Sequence, residues 1–232
     1  MISSSPESIE ERLEGLSGAA MIETALEACE DSLALVSSFG TESAVLLHMT
    51  AEVDANIPII FLDTGKLFAP TYGYQRRLTE HLGLRNVRTI RPEAKAVDDE
   101  DPMSSLWRHD PDRCCAVRKV WPLARALQGF DAWITGRKKF QTTDRGRAKH
   151  TEIQDGRVVI SPLLQWEKSD LDAYFITHGL PRHPLEDMGY PSVGCFTCTA
   201  DVHEGDGQRS GRWQGQAKTE CGIHRPSLRP AA

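Results

Sequence analysis

The sequence predicts an α/β fold, a doubly wound and mostly parallel sheet followed by an irregular, cysteine-bearing tail. Three observations carry that expectation. Short apolar or β-branched runs alternate with helix-length stretches through the first two-thirds of the chain. Strands joined by helices of this length pair in parallel through right-handed crossovers. After Gly179 the periodicity disappears and Gly, Pro and charge become dense, which predicts irregular backbone tied down or moved for a purpose.

Taken in order, strands are expected at 33–39 (LALVSSF), 57–64 (IPIIFLDT), 86–92 (NVRTIRP) and 131–136 (DAWITG), each an apolar run closing on turn residues. A further strand is expected within GRVVISPL at 156–163. Helices are expected at 42–53, 69–83, 115–129 and 167–179. No internal repeat or low-complexity segment interrupts this order. The expected organisation is a body over 1–190 and a tail over 191–232, parts of one domain.

Composition sets outer limits. The chain has 232 residues, 40% hydrophobic and 26% charged, ordinary values for a soluble globular protein. No apolar run approaches the roughly 20 residues of a membrane span. The start, MISSSPESIEERLEGL, is acidic and polar rather than basic then apolar, so no secretory signal is expected and the cytoplasm is the default location. A net charge of −6 argues against a nucleic-acid partner. Yet GRKKFQTTDRGRAKH sets Arg137, Lys138, Lys139, Arg145, Arg147 and Lys149 against Asp144 alone. That segment is either a solvated loop or the holder of a small anion.

In open α/β sheets, ligands sit at the carboxyl ends of strands. Those ends here read SSFGTES, LDTG and TGRKKFQ. In Ser37–Ser43 the small and hydroxyl residues allow backbone amides to close around an anion at the next helix's positive end. An ordinary turn with Ser38 or Thr41 as N-cap is the alternative. Neither GxxxxGK[ST] nor GxGxxG is present, so a nucleotide would be held in another style.

The cysteines are Cys29, Cys114, Cys115, Cys195, Cys198 and Cys221. Cys195 and Cys198 have the two-residue gap of metal chelation, with a redox pair as competitor. Adjacent Cys114 and Cys115 make an awkward pair for one tetrahedral ion. They fit more easily around a cluster whose separate irons each take one thiolate. The two segments together would supply four thiolates. Cys29, at helical spacing among small apolar residues, is expected to be a packed thiol. Only Cys221 then remains free, with Lys218, His224 and Arg225 near enough in sequence to favour its thiolate.

SSFGTES, LDTG, CCAVRKVWPL, GCFTCT and ECGIH, in this order, resemble the assimilatory adenylyl-sulfate and phosphoadenylyl-sulfate reductases. The double cysteine with a later CxxC is similar to the cluster-containing, adenylyl-sulfate (APS) branch. The resemblance implies an adenine nucleotide alpha-hydrolase-like fold and reduction of adenylyl sulfate to sulfite and AMP. It implies that Ser37, Ser38, Phe39, Gly40, Thr41, Glu42 and Ser43 cradle the α-phosphate, and that Leu62, Asp63, Thr64 and Gly65 wall the adenosine. Gly136 and an arginine, Arg145 or Arg147, would complete the nucleotide site, with His224 among the substrate-binding residues.

Arg118 and Lys119 stand where the family has a basic residue near cluster and sulfate, Lys119 being the closer match. Arg209 and Arg212 match its sulfate-contacting arginines. Cys221 would be the nucleophile, forming S-sulfocysteine that a thioredoxin or glutaredoxin-type thiol releases. Cys114, Cys115, Cys195 and Cys198 would hold a [4Fe–4S] cluster. The chain departs from the family's usual RRxQS loop, reading RKKFQTTDRGR, and has Thr41 where Ala is usual.

The nearest rival is a phosphoadenylyl-sulfate (PAPS) or dual-substrate reductase. A tRNA thiolation enzyme usually shows an SGGxDS-like loop, which SSFGTES lacks. A non-enzymatic metal-binding module is the third reading. The sequence leaves a homo-oligomer open.

Overall fold

The computed structural model describes residues 5–203 and 205–225. In chain order its helices are α1 (Pro6–Leu13), α2 (Gly18–Cys29), α3 (Ser43–Asp54), α4 (Ala69–His81), α5 (Ala94–Glu100), α6 (Leu106–His109), α7 (Pro111–Cys115), α8 (Trp121–Ala126) and α9 (Lys168–Thr177). Its strands are β1 (Leu33–Ser37), β2 (Ile59–Leu62), β3 (Val87–Ile90), β4 (Ala132–Thr135), β5 (Thr151–Gln154) and β6 (Arg157–Ile160).

The strands form one sheet in the order β3-β2-β1-β4-β6-β5. Every pairing is parallel except β5 with β6. β1 is central, with Leu35 opposite Ile59 on one side and Ile134 on the other. The chain winds outward from β1 through β2 to β3, then returns to β4 on β1's other side. The crevice between β1 and β4 is therefore the topological switch point, where ligands of such sheets bind.

Alternating side chains of each strand feed two cores. Leu33, Leu35, Ile59, Phe61 and Ile134 pack under α1, α2, α3, α4 and α9. Ala34, Val36, Ile60, Leu62 and Trp133 face Leu123 of α8, with Leu127 and Phe130. A strand covered on both faces needs apolar residues at every position, which is why LALV is unbroken. Each fully buried aliphatic, such as Ile22 or Leu47, contributes roughly 1.5–3 kcal/mol.

The fold class follows the expectation, and the element bounds differ from it. Each strand stops short of the apolar run's end, so Ser38–Phe39, Asp63–Thr64 and Gly136 belong to loops. The first helix and the edge strand β5 were not anticipated, while α2 carries Cys29 at the helical spacing expected of it. The helix expected at 115–129 begins at Pro111, where Asp110 Oδ1 accepts the Arg113 N–H at 2.8 Å. It then widens into a π turn over Ala116–Val120 before α8. The stretch after Gly179 is irregular, tied to the body through the bridge Leu67–Cys195 and to itself through Thr199–Arg212.

Candidate active site

A cleft of about 200 Å³ opens at the carboxyl ends of β1, β2 and β4. Ser37, Ser38, Gly40, Thr41, Glu42 and Ser43 form one wall, with Leu62 and Thr64 from the end of β2 and Gly136 from the end of β4. Lys119, Arg145, Arg209, Arg212, Cys221 and His224 close it. α3 starts at Ser43 with no side-chain cap, so its positive end lies at the cleft wall.

Three expected residues stand outside this lining. Phe39 has φ of 48° and is fully buried, its ring edge-on to Phe61 at 5.2 Å. It anchors the turn, its N–H donating to Ser37 Oγ at 3.1 Å. Asp63 faces away, accepting from Tyr72 Oη at 2.6 Å, Arg91 Nε at 2.9 Å and the Gly65 N–H at 3.0 Å. Burial alone would raise its pKa, but these donors outweigh it and hold the carboxyl below the usual range. Gly65, at φ +70°, supplies the left-handed turn that lets Arg118 Nη1 reach the Thr64 carbonyl at 2.9 Å.

Glu42 lines the cleft as a tie rather than as a cradle. Its carboxylate accepts from Lys138 Nζ at 2.7 Å, from Gln141 Nε2 at 2.7 Å and from Gln208 Nε2. The loop after β1, the basic loop and the tail thus converge on one anion. Arg145 also lines the cleft, whereas Arg147 is exposed and borders a neighbouring cavity of about 290 Å³.

The cations divide into two kinds. Arg145 donates to Glu220 through Nε at 2.5 Å and Nη2 at 2.9 Å, and Arg209 Nη2 reaches the same carboxylate at 3.4 Å. Lys119 and Arg212 have no carboxylate partner among the described residues. Nε of Arg209 and of Arg212 are buried without an acceptor. Buried cationic donors left unpaired are costly unless an anion arrives.

Cys221 sits among these groups. Burial raises its pKa, but Lys119, the Ile223 N–H and Arg212 together bring it below the ordinary thiol value. The cations that favour the thiolate are therefore not the expected Lys218, His224 and Arg225. Lys218 is bound to Asp112, and Arg225 is exposed. His224 is kept neutral, its pKa pushed far down by burial and by Arg137 and Arg145. Its ring stacks on Trp133 at 5.1 Å and its Nε2 lies 3.2 Å from Thr135 Oγ1. Thr219 Oγ1 donates to Asp144 at 2.7 Å, and Gln154 Nε2 donates to the Ile223 and Arg225 carbonyls at 3.1 and 2.9 Å. The tail is docked by contacts on α7, β4, β5 and the basic loop.

Beside the cleft, Cys114, Cys115, Cys195 and Cys198 line one small cavity with Arg118, Lys119, Thr197 and Trp213. Cys114 and Cys115 end α7, and Cys195 and Cys198 are held by the Cys198 N–H donating to the Cys195 carbonyl at 3.0 Å. Thr64 Oγ1 lies 3.3 Å from Cys195 Sγ. Among the described residues no three His, Cys, Asp or Glu side chains are set to hold a single metal ion. Four cysteine thiols lining one cavity are a donor set of the kind that iron–sulfur clusters take. The buried, unpartnered Nε1 of Trp213, on the cavity's wall, is a donor of the kind that sulfur ligands accept. Cys29 lies apart, buried in α2 with burial raising its pKa to about 11.

Lys119 joins the two sites. Burial disfavours its charge, but Cys195, Cys115 and Cys221 hold its pKa above the ordinary lysine value. Arg118, one residue earlier, is turned to Asp101 through Nη2 at 2.8 Å and does not line the cleft.

The switch-point cleft of this α/β protein thus sets a thiol among cationic side chains that lack a full set of acceptors. The phosphoadenosine phosphosulfate reductase domain matches residues 32–201. The chain is 49% identical over 205 residues, 88% of its length and 81% of the relative's, to an adenosine 5'-phosphosulfate reductase of Mesorhizobium japonicum. One of Bacillus cytotoxicus is 38% identical and covers 94% of both chains. Among solved structures, phosphoadenylyl-sulfate reductase from Candida auris, as a phosphate complex, superposes with a TM-score of 0.72 at 27% identity, covering 86% of this chain and 99% of that one. Yeast FAD synthetase, at 13% identity and a TM-score of 0.56, shares the fold alone. The chain belongs to the phosphoadenosine phosphosulfate reductase family.

Sequence reasoning missed Thr135, Trp133, Gln154 and Trp213. Thr135 had a signal, as the last residue of an apolar run ending at the switch point. The others contribute through contacts across elements, which no local pattern encodes.

Proposed function

We propose that the protein is an oxidoreductase of sulfate assimilation that reduces adenylyl sulfate to sulfite and AMP. The observation that carries the reading is Cys221 beside Lys119 and Arg212, cations without carboxylate partners, in a switch-point cleft. The more identical relatives are named for the same substrate.

The step needs charge compensation first, because phosphate and sulfate both repel a thiolate. Lys119, Arg209 and Arg212 would supply it, with Arg145 and the α3 amino end on the phosphate side. Leu62 and Thr64 would bound the adenosine. The Cys221 thiolate attacks the sulfate sulfur. The bond from that sulfur to the bridging oxygen breaks, and AMP leaves with the electron pair. Cys221 becomes S-sulfocysteine. One thiol of an external dithiol of the thioredoxin or glutaredoxin class attacks Sγ of Cys221 and releases sulfite. Its second thiol then frees Cys221 from the mixed disulfide, leaving the external protein oxidised.

Cys114, Cys115, Cys195 and Cys198 would hold a [4Fe–4S] cluster. When bound it supplies negative charge beside Lys119 and a tether between α7 and the 195–198 loop. We take residues 1–190 as the nucleotide-binding body and 191–232 as the tail of one domain, working in the cytoplasm without nucleic acid. No helix among the described residues is long and apolar enough to cross a membrane.

Anaerobically purified protein with reduced thioredoxin is expected to release sulfite from adenylyl sulfate. Absence of sulfite from an intact, coloured protein would overturn the reading. The 3′-phosphorylated substrate, favoured by the Candida auris likeness, run in parallel decides between the branches.

A further inference from the structure

Glu220 immediately precedes Cys221 and lines the same cleft. It accepts from Arg145 at 2.5 and 2.9 Å, from Arg209 at 3.4 Å and from Thr142 Oγ1 at 3.2 Å. Its side chain is only 14% exposed. Glu220 and His224 stand on the boundary between the 200 Å³ cleft and the adjoining 290 Å³ cavity, lining both. With the tail docked, the cleft is smaller than the roughly 300 Å³ at which small-molecule pockets begin. Lys119 and Arg212, by contrast, carry no such internal counter-ion.

We propose that Glu220 is the positioning residue of the catalytic tail, an internal stand-in on Arg145 for the nucleotide's phosphate. In the empty protein the Glu220–Arg145 pair fixes Cys221 at the cleft and gives two largely buried guanidiniums one shared counter-ion. An entering adenylyl group offers a phosphate that takes Arg145. Glu220 is then released, and the wall between the two cavities opens to admit the ligand. Nucleotide binding and tail position are thereby coupled through one exchanged ion pair. The inference rests on the adenylyl reading given above.

Calorimetric binding of AMP to wild type, E220Q and E220D, with adenosine as the phosphate-free control, tests it. E220Q leaves Arg145 without its carboxylate, so AMP is expected to bind about fivefold to tenfold more tightly than to wild type. E220D, charged but shorter, is expected to fall between the two. Adenosine is expected to bind all three alike. In turnover the same exchange lowers KM and lowers kcat together, since Cys221 loses its tether; a merely structural defect would raise KM. AMP affinity unchanged or weakened in E220Q overturns the inference, as does equal tightening of adenosine, which would place the effect in tail packing. Failure of wild type to bind AMP at all is a different result, because it removes the adenylyl reading on which the inference stands.

Discussion

At the scale of single residues, the pKa of Cys221 is lowered by groups distant in sequence. Lys119 comes from the π turn and Arg212 from the loop after Cys198, and with the Ile223 N–H they outweigh the burial that would otherwise raise the thiol's pKa. A serine there keeps the size and loses the nucleophile. Cys221→Ser is therefore expected to bind AMP as wild type does and to keep its visible absorbance. Sulfite formation should fall on the order of 10³-fold or more, and residual turnover near the wild-type rate would remove Cys221 from the chemistry. That Cys221 stands apart from the other cysteines, at the cleft, was legible in the sequence, because the pairing of the others left it over. Its activating cations were not. Proximity in sequence pointed to Lys218, whereas the fold pairs Lys218 with Asp112. Glu42 is the parallel case: its place in SSFGTES suggested a cradle residue, but three donors from two other segments already claim it.

At the scale of elements, the strands' carboxyl ends were legible because apolar runs and turn residues are local signals. β5 was not, since Thr151–Gln154 is a four-residue edge strand with Ile153 45% exposed and no apolar face to betray it. The π turn was equally silent, although it sets Lys119 relative to the Cys114–Cys115 pair; such bulges cluster at functional sites. β5 matters through Gln154, whose two hydrogen bonds hold the tail backbone just beyond Cys221. Two such bonds are worth roughly 1–3 kcal/mol. Gln154→Ala should accordingly speed iodoacetamide labelling of Cys221 about tenfold in the nucleotide-free protein, and an unchanged rate would mean that β5 does not restrain the tail. The loop 195–198 is the second element with a test. If its thiols and those of α7 hold one cluster, Cys198→Ser purified anaerobically loses iron and brown colour while keeping its helix content. Full iron occupancy in that variant would take Cys198 out of the ligand set.

At the scale of the whole molecule, the path from α9 to the cysteine loop is fastened to α4. Tyr74 Oη donates to the Pro181 carbonyl at 2.9 Å, and Arg77 Nη2 to the Arg182 carbonyl at 2.8 Å. Between them His183 is fully buried, beside the Tyr74 ring at 4.8 Å. Its Nδ1 accepts the Leu185 N–H at 3.2 Å, which places the ring proton on Nε2, 3.2 Å from Thr71 Oγ1. Both nitrogens are thus used by the neutral ring. Burial, aided by the Arg77 charge, pushes the pKa of His183 down to about 4. The unfolded chain, with an ordinary histidine pKa near 6.5, binds the proton more readily. The folded state is then fully favoured above about pH 6.5 and loses that contribution progressively as pH falls toward 4. Between pH 7.5 and 5 the loss comes to about 2 kcal/mol. Urea unfolding at the two pH values should show this drop in wild type. His183→Asn can supply an acceptor for Leu185 without titrating, so it should be less stable at pH 7.5 but lose about 2 kcal/mol less on acidification. An equal loss in both proteins would mean that the joint between α4 and the segment after α9 does not sense the proton, and that acid sensitivity arises elsewhere in the fold.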